Sequence, residues 1–347
     1  MRILVADSSV TYNKMLTQAA AELDKNAVVT CVTGGGEALE KIKRGDYEII
    51  VIDAEVNGIS ALLKKITLQI PKAFILVTAR PSLENEKLCA EALVNGAVDY
   101  LIKPIQSSYN DNYEIIKRKI ADIFELLSKS HRNKTEQADC HQVVSKAETS
   151  NSRFNPGLVL IAASTGGPPA LEKIIPELET CFPVPILVVQ HMLLKFTDSL
   201  AQNLDQKSHL RVKVAEDGEI VEAGTVYIAP GGAHMKLDNS NTIRLDGSPP
   251  INGVRPAADV LFESVATSFD GGGVLVVILT GMGHDGARGL SGLKEGRDCF
   301  CITQSEESCV VYGMPRAAVE GGYSDMVLDL EDIPVVIESF NYAKFDK

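Results

Sequence analysis

The chain has 347 residues, 45% of them hydrophobic and 23% charged, with a formal net charge of −12. That length favours two domains with full cores, and the negative balance argues against a general electrostatic grip on nucleic acid, which needs a basic surface. The first seven residues, Met-Arg-Ile-Leu-Val-Ala-Asp, hold too short an apolar run for a signal-peptide core. No stretch approaches the length of a membrane span, so a cytoplasmic chain without membrane insertion is expected. The seven cysteines are odd in number, scattered, and lack a Cys-x-x-Cys pair. Reduced core thiols are the expectation, rather than disulfides or a zinc site.

Short apolar runs alternate with amphipathic stretches from the first residue. Strands are predicted at 3–6, 27–31, 48–52, 73–77 and 98–101, with helices at 9–23, 36–44, 60–68, 83–94 and 108–128. Five β-α steps imply a parallel sheet with helices on both faces. From Ser128 to Arg153 the composition turns to Ser, Asn, Gln, Lys, Thr and Glu with almost no apolar periodicity. This reads as a solvated linker, and the competing reading continues the fifth helix into it. The expected domains are therefore 1–127 and 154–347, joined by 128–153.

From Gly157 a Gly- and Pro-richer α/β region begins. Runs at 158–163, 185–190 and 274–280 suit buried central strands. Weaker strand candidates are 211–214, 225–229 and 299–303, with helices at 169–179, 195–207, 256–269, 286–295 and 314–320. No repeat of solenoid period is present.

Ligands of doubly wound sheets gather at the C-terminal ends of the strands. In the first region Asp7 follows the first strand, Asp53 the third and Lys103 the fifth, and Thr78 ends the fourth. Two carboxylates and a lysine at one edge can hold Mg²⁺ and accept a phosphoryl group, with Asp as nucleophile and Lys and Thr on the phosphoryl oxygens. A lone Asp at a strand end is weak evidence, because Asp also caps helices. Four matched positions at four strand ends are stronger. The pattern over residues 1–125 resembles the receiver domain of two-component response regulators. That resemblance implies a flavodoxin-like fold, Asp53 as phosphoacceptor and Thr78 and Lys103 as the switch pair. It implies Asp7, Asp53 and the Glu55 carbonyl around Mg²⁺, and a sensor histidine kinase as phosphodonor. Receivers usually carry two adjacent acids after the first strand; the first of them is here Ala6, which weakens the expected metal site.

In the second region, residues 158–170 form a strand running into a helix through a tight turn with Ser164 at its tip. Pro168 and Pro169 suit a first helical turn. The turn has the mechanics of a nucleophile elbow, although Ala-x-Ser-x-Gly departs from Gly-x-Ser-x-Gly. Ser164 or Thr165 can instead simply cap the helix. What shifts the balance is that His191 follows one apolar strand and Asp285 lies just after another. A serine needs an imidazole to take its proton, and the imidazole needs an acid to fix its tautomer. His284 is a rival base adjacent to Asp285, but it has no strand end of its own. His234 is given no catalytic role, His209 is placed on the surface, and Cys309 is read as a buried thiol rather than a nucleophile.

Six segments carry a second resemblance: Ala-Ser-Thr-Gly-Gly-Pro at 163–168, Val-Gln-His-Met at 189–192, Val-Tyr-Ile-Ala-Pro-Gly-Gly at 226–232, Arg-Pro-x-x-Asp-Val-Leu-Phe at 255–262, Leu-Thr-Gly-Met-Gly-x-Asp-Gly at 279–286 and Cys-Val-Val-Tyr-Gly-Met-Pro at 309–315. Together they resemble the catalytic domain of the chemotaxis protein-glutamate methylesterases, which also follows a receiver. The resemblance implies a Rossmann-like domain that hydrolyses γ-glutamyl methyl esters on methyl-accepting chemoreceptors, releasing methanol. Deamidation of receptor glutamines by the same residues is a related possibility. In the triad, Ser164 is the nucleophile, His191 the base and Asp285 its orienting acid, and no metal is required. The Met282 backbone N–H is the candidate oxyanion donor, with Thr165 in support. Phosphorylation at Asp53 is expected to uncover the Ser164 cleft.

Overall fold

The computed structural model describes residues 1–70, 73–136 and 154–342. The chain divides into two compact units, Met1–Val143 and Val144–Lys347. The first alternates strand and helix throughout: β1 (Arg2–Ala6), α1 (Val10–Leu23), β2 (Val28–Val32), α2 (Gly35–Arg44), β3 (Ile49–Asp53), α3 (Ile59–Gln69), β4 (Phe74–Ala79), α4 (Leu83–Val94), β5 (Asp99–Ile102) and α5 (Tyr109–Glu136). Its five strands are parallel in the order β2-β1-β3-β4-β5, the flavodoxin-like doubly wound order. Ile3, Val5, Ile49, Val51, Phe74 and Leu76 face a core with Leu16 and Ala19 of α1 and Ile116, Ile120 and Ile123 of α5. The central strands β1, β3 and β4 are buried on both faces beyond Arg2, as a parallel sheet covered on both sides requires.

Residues 128–136, expected as linker, continue α5 instead. The competing helical reading was the better one there, and the remainder, 137–153, lies outside the described residues.

The second unit comprises β6 (Pro156–Ala163), α6 (Gly167–Ile174), β7 (Ile186–Gln190), α7 (Leu194–Lys207), β8 (Arg211–Val214), β9 (Thr225–Ile228), β10 (His234–Leu237), β11 (Ile243–Asp246), α8 (Ala258–Ser268), β12 (Gly273–Ile278), α9 (Ala287–Gly296), β13 (Cys299–Gln304), α10 (Met314–Glu320), β14 (Met326–Leu328) and α11 (Ile333–Glu338). Seven parallel strands run β14-β13-β12-β6-β7-β9-β8. The three runs read as central strands are β6, β7 and β12, and every residue of them is buried. The antiparallel β10–β11 pair, the short β14 and α11 had no strand or helix range of their own in the sequence analysis.

One face of this sheet, including Leu160, Ala162, Leu187, Val189, Val276 and Ile278, packs on Leu261, Phe262 and Val265 of α8 and Leu290 and Leu293 of α9. Chain progression from β6 goes towards β7, and from β12 towards β13, in the opposite direction. The strand order therefore reverses between β6 and β12, the place where such sheets open a crevice beyond their strand ends.

Among the described cysteines, Cys89 and Cys301 are buried, Cys299 and Cys309 half-buried, and Cys31 and Cys181 exposed. All six are free. The expectation that the thiols all lie in the core is thus corrected for Cys31 and Cys181, which sit where packing does not need them. Among the described residues, no helix is long and apolar enough to cross a membrane.

Candidate active site

Ser164 follows β6 directly, in a turn that only glycine permits. Gly166 has φ +79°, in the left-handed region, and a Cβ on it would meet the Val310 side chain at 2.7 Å. The turn is tied to its neighbours through the main chain: the Ser164 N–H donates to the Thr280 carbonyl at 3.0 Å, and the Gly167 N–H to the Ser164 carbonyl at 2.8 Å. The loop after β12 closes on it from the side. A Cβ on Gly281 would lie 2.8 Å from the Ser164 Cβ, so the Gly281-Met282-Gly283 turn abuts the serine. Among the described residues, no acceptor is bonded to the Met282 N–H. Thr165 is buried beside the serine, and its carbonyl accepts from the Thr280 hydroxyl at 2.9 Å.

His191 comes one residue after β7, in register with the start of the serine turn, and its N–H donates to the Ala163 carbonyl at 3.1 Å. His191 Nε2 lies 2.8 Å from Asp285 Oδ2. With that nitrogen engaged by the carboxylate, Nδ1 is the ring atom left to act as a base. Both partners are largely shielded from solvent, so the contact has little competition from water.

Asp285 is 3% exposed and sits at the N-terminus of α8. Its Oδ2 also accepts from the Ala258 N–H at 2.6 Å, and Oδ1 from the Asp259 N–H at 3.3 Å and Asn252 Nδ2 at 3.2 Å. Burial pushes this carboxyl up, but the hydrogen bond and charge of His191, together with the two helix N–H groups, outweigh that and hold it below its ordinary value. The acid is thus kept ionised where the imidazole needs it.

Sequence reasoning gave no role to Asp259 and Asn252. Asp259 Oδ1 accepts from the Gly286 and Gly289 N–H groups at 3.0 and 2.8 Å. The carboxylate of the α9 side therefore caps α8, and one from α8 caps α9, each at the positive end of the other helix. Asn252 Nδ2 also donates to Asp259 Oδ2 at 3.0 Å, bridging the two acids. Gly289 allows the close approach, since a Cβ there would lie 2.7 Å from the Phe262 Cβ. An Asp in the first turn of a predicted helix was the available signal, but it is a common cap and names no partner.

The rivals separate cleanly. His284 is exposed, and Asp285 turns to His191 instead. His234 is fully buried, with Nδ1 accepting from the Ala257 N–H and Nε2 on the Pro249 carbonyl, both at 3.1 Å. His209 is exposed. Burial drives the Cys309 thiol far up, which suppresses the thiolate a nucleophile would need.

The CheB methylesterase family model matches residues 159–337. A protein from Syntrophomonas wolfei subsp. wolfei, named a protein-glutamate methylesterase/protein-glutamine glutaminase, is 38% identical over 346 residues, covering 96% of this chain and 97% of its own. The chain belongs to the CheB methylesterase family. A Thermotoga maritima relative of the same name is also 38% identical, over 96% of each chain. The crystal structure of a Thermotoga maritima CheB methylesterase catalytic domain, 45% identical, superposes with a TM-score of 0.50 over 53% of this chain and 98% of that one.

A second cluster of candidate residues lies in the first unit, at the β1/β3 switch point. Asp53 and Thr78 are register partners on β3 and β4. Asp7, Asp53, Thr78 and Lys103 are all buried. Lys103 Nζ pairs with Asp53 Oδ2 and lies 2.6 Å from Asp7 Oδ2. Asp53 Oδ1 accepts from the Glu55 N–H, and Asp7 Oδ1 from the Ser9 N–H, both at 2.7 Å. Burial raises the Asp7 carboxyl, and the Lys103 hydrogen bond only partly offsets this. Thr78 Oγ1 is buried with no hydrogen-bond partner among the described residues. Among those residues no group of three His, Cys, Asp or Glu side chains is placed to hold a metal. The expected shell thus has only the two carboxylates of Asp7 and Asp53 among acidic side chains, Ala6 supplying none. That still fits Mg²⁺, which commonly takes one or two carboxylates and keeps several waters.

Proposed function

We propose that this chain hydrolyses γ-glutamyl methyl esters on methyl-accepting chemoreceptors, with Ser164, His191 and Asp285 as its triad. The observation that carries the assignment is the 2.8 Å contact between His191 Nε2 and Asp285 Oδ2 at the strand edge where Ser164 stands. Ser164 Oγ attacks the ester carbonyl and its proton passes to His191 Nδ1. The tetrahedral oxyanion is met by the Met282 N–H, with Thr165 lining the site. Collapse breaks the C–O bond to the methoxy group, which leaves as methanol with the proton from His191. Water then attacks the acyl-enzyme, losing its proton to His191. The second collapse frees the glutamate carboxyl and returns a proton to Ser164 Oγ. Asp285 stays ionised throughout and holds the imidazole in the tautomer with Nδ1 free.

The first unit is proposed to control this activity through phosphorylation of Asp53 by a sensor histidine kinase. Bound Mg²⁺, held by Asp7, Asp53 and the Glu55 carbonyl, would neutralise phosphoryl charge there. The chain's own part is played by Lys103, freed from the carboxylates to pair with the new phosphoryl oxygens, and by the unpartnered Thr78 hydroxyl. A cytoplasmic site of action fits both partners. Methanol release from methylated receptors, with and without a small-molecule phosphodonor, tests the reading. Release by wild type that is lost in Ser164→Ala supports it, and an active Ser164→Ala defeats it. Activity unchanged by phosphodonor and by deleting residues 1–130 defeats the control. The glutaminase in the relatives' names favours a second reaction, deamidation of receptor glutamines, seen as ammonia release.

A further inference from the structure

We infer that Gln190 is a positioning residue for the nucleophile and its base, holding the main chain of both through one buried amide. This rests on the reading of Ser164 as nucleophile and His191 as base. Gln190 ends β7 and is 2% exposed. Its Nε2 donates to the Ser164 carbonyl at 2.9 Å and to the His191 carbonyl at 3.1 Å. One side chain therefore spans the two strand ends and grips the residue that attacks and the residue that takes the proton. The Ser164 carbonyl also accepts from the Gly167 N–H at 2.8 Å, so both of its lone pairs are engaged.

The amide has no room to drift. A Cβ on Gly167 would lie 1.9 Å from Gln190 Oε1 and 2.8 Å from the Ala163 Cβ, so the first turn of α6 presses directly on it. Oε1 is buried with no hydrogen-bond partner among the described residues. An unpaired buried acceptor is unfavourable, and Met or Leu would fill the same space without it. The amide's distinctive contribution here is its pair of donated bonds, and both fall on the catalytic main chain. The position demands such control because a misplacement of about 1 Å from attack geometry can cost roughly 10²-fold in rate.

The test uses the full chain and a methylated receptor fragment, with methanol release as the readout. Gln190→Met keeps length and approximate volume but removes both N–H groups. It is expected to lower kcat roughly 10- to 100-fold while KM stays within about twofold. Added to Ser164→Ala, it should lower the residual rate no further, because it acts through the serine. Gly167→Ala displaces the amide without deleting it and should reproduce the fall in kcat. A folded Gln190→Met, judged by circular dichroism, with wild-type kcat overturns the inference. So does a loss confined to melting temperature, which a purely structural role would give. If Gln190→Met does not fold, Gly167→Ala decides, and an unchanged kcat there overturns the inference. If wild type releases no methanol, or Ser164→Ala remains active, the reading of Ser164 fails and this inference falls with it. If both controls behave and Gln190→Met matches wild type, the role of Gln190 alone is wrong.

Discussion

Replacing Asp285 with Asn removes a charge while keeping the shape, and its consequences can be worked from four hydrogen bonds. Oδ2 receives His191 Nε2 and the Ala258 N–H, while Oδ1 receives Asn252 Nδ2 and the Asp259 N–H. An amide offers one oxygen, so in either orientation its NH₂ faces two donors. Losing a buried charge at a helix N-terminus and stranding buried donors should cost together about 2–4 kcal/mol. The rate loss should be larger. Asn oriented to donate to Nε2 puts the imidazole proton on Nδ1, the nitrogen proposed to take the serine proton, so that no base remains; a wrong tautomer of this kind costs about 10⁴ in kcat. The stability effect also carries a pH signature. The folded Asp285 carboxyl lies below its ordinary 3.8, so its contribution is complete above the unfolded value and is lost as pH falls through the folded one. The gap in urea midpoint between wild type and Asp285→Asn should therefore narrow between about pH 7 and about pH 3. A kcat within tenfold of wild type, or a gap equal at both pH values, would refute the argument.

Met282→Pro deletes the proposed oxyanion donor and should lower kcat by roughly 10²–10³, whereas Met282→Leu, which keeps the N–H, should leave steady-state methanol release near wild type. Gly289→Ala drives a methyl into Phe262 and the Asp259 carbonyl, so the thermal or urea midpoint should drop by an amount equivalent to about 1–3 kcal/mol. Lys103→Met leaves the Asp7 and Asp53 carboxylates without their buried cation, a loss of about 3–5 kcal/mol that urea unfolding should place in the first unit. His284→Ala and Cys309→Ala should both retain esterase activity in the same assay, and a large loss in either would reopen the assignment of base or nucleophile.

Much was legible before any coordinates because parallel sheets write themselves as continuous apolar runs. β6, β7 and β12 are buried on both faces, so they contrast sharply with their flanks, and the residue just after each run falls on the ligand-bearing edge. That reasoning located Ser164, His191, Asp7, Asp53 and Lys103 one strand end at a time. The strands β10, β11 and β14 received no range because none has the long continuous apolar run that marked β6, β7 and β12. Helix α5 outran its predicted end by eight residues, since a polar stretch can extend a helix without any apolar stripe to announce it.

Sequence alone therefore determined which side chains are proposed for the chemistry: a serine in a glycine turn, a histidine and an acid after apolar strands, and a carboxylate–lysine set at another sheet edge. Only the tertiary structure decided what each one touches. It paired Asp285 with His191 rather than with the adjacent His284, through Nε2 and not Nδ1. It set Asp259 and Asn252 behind the acid, and put the Gln190 amide on the carbonyls of Ser164 and His191. The physical reason is directional. Spacing along a strand fixes an edge and a face, whereas a hydrogen bond depends on a few tenths of an ångström between elements far apart in the chain, which packing alone sets.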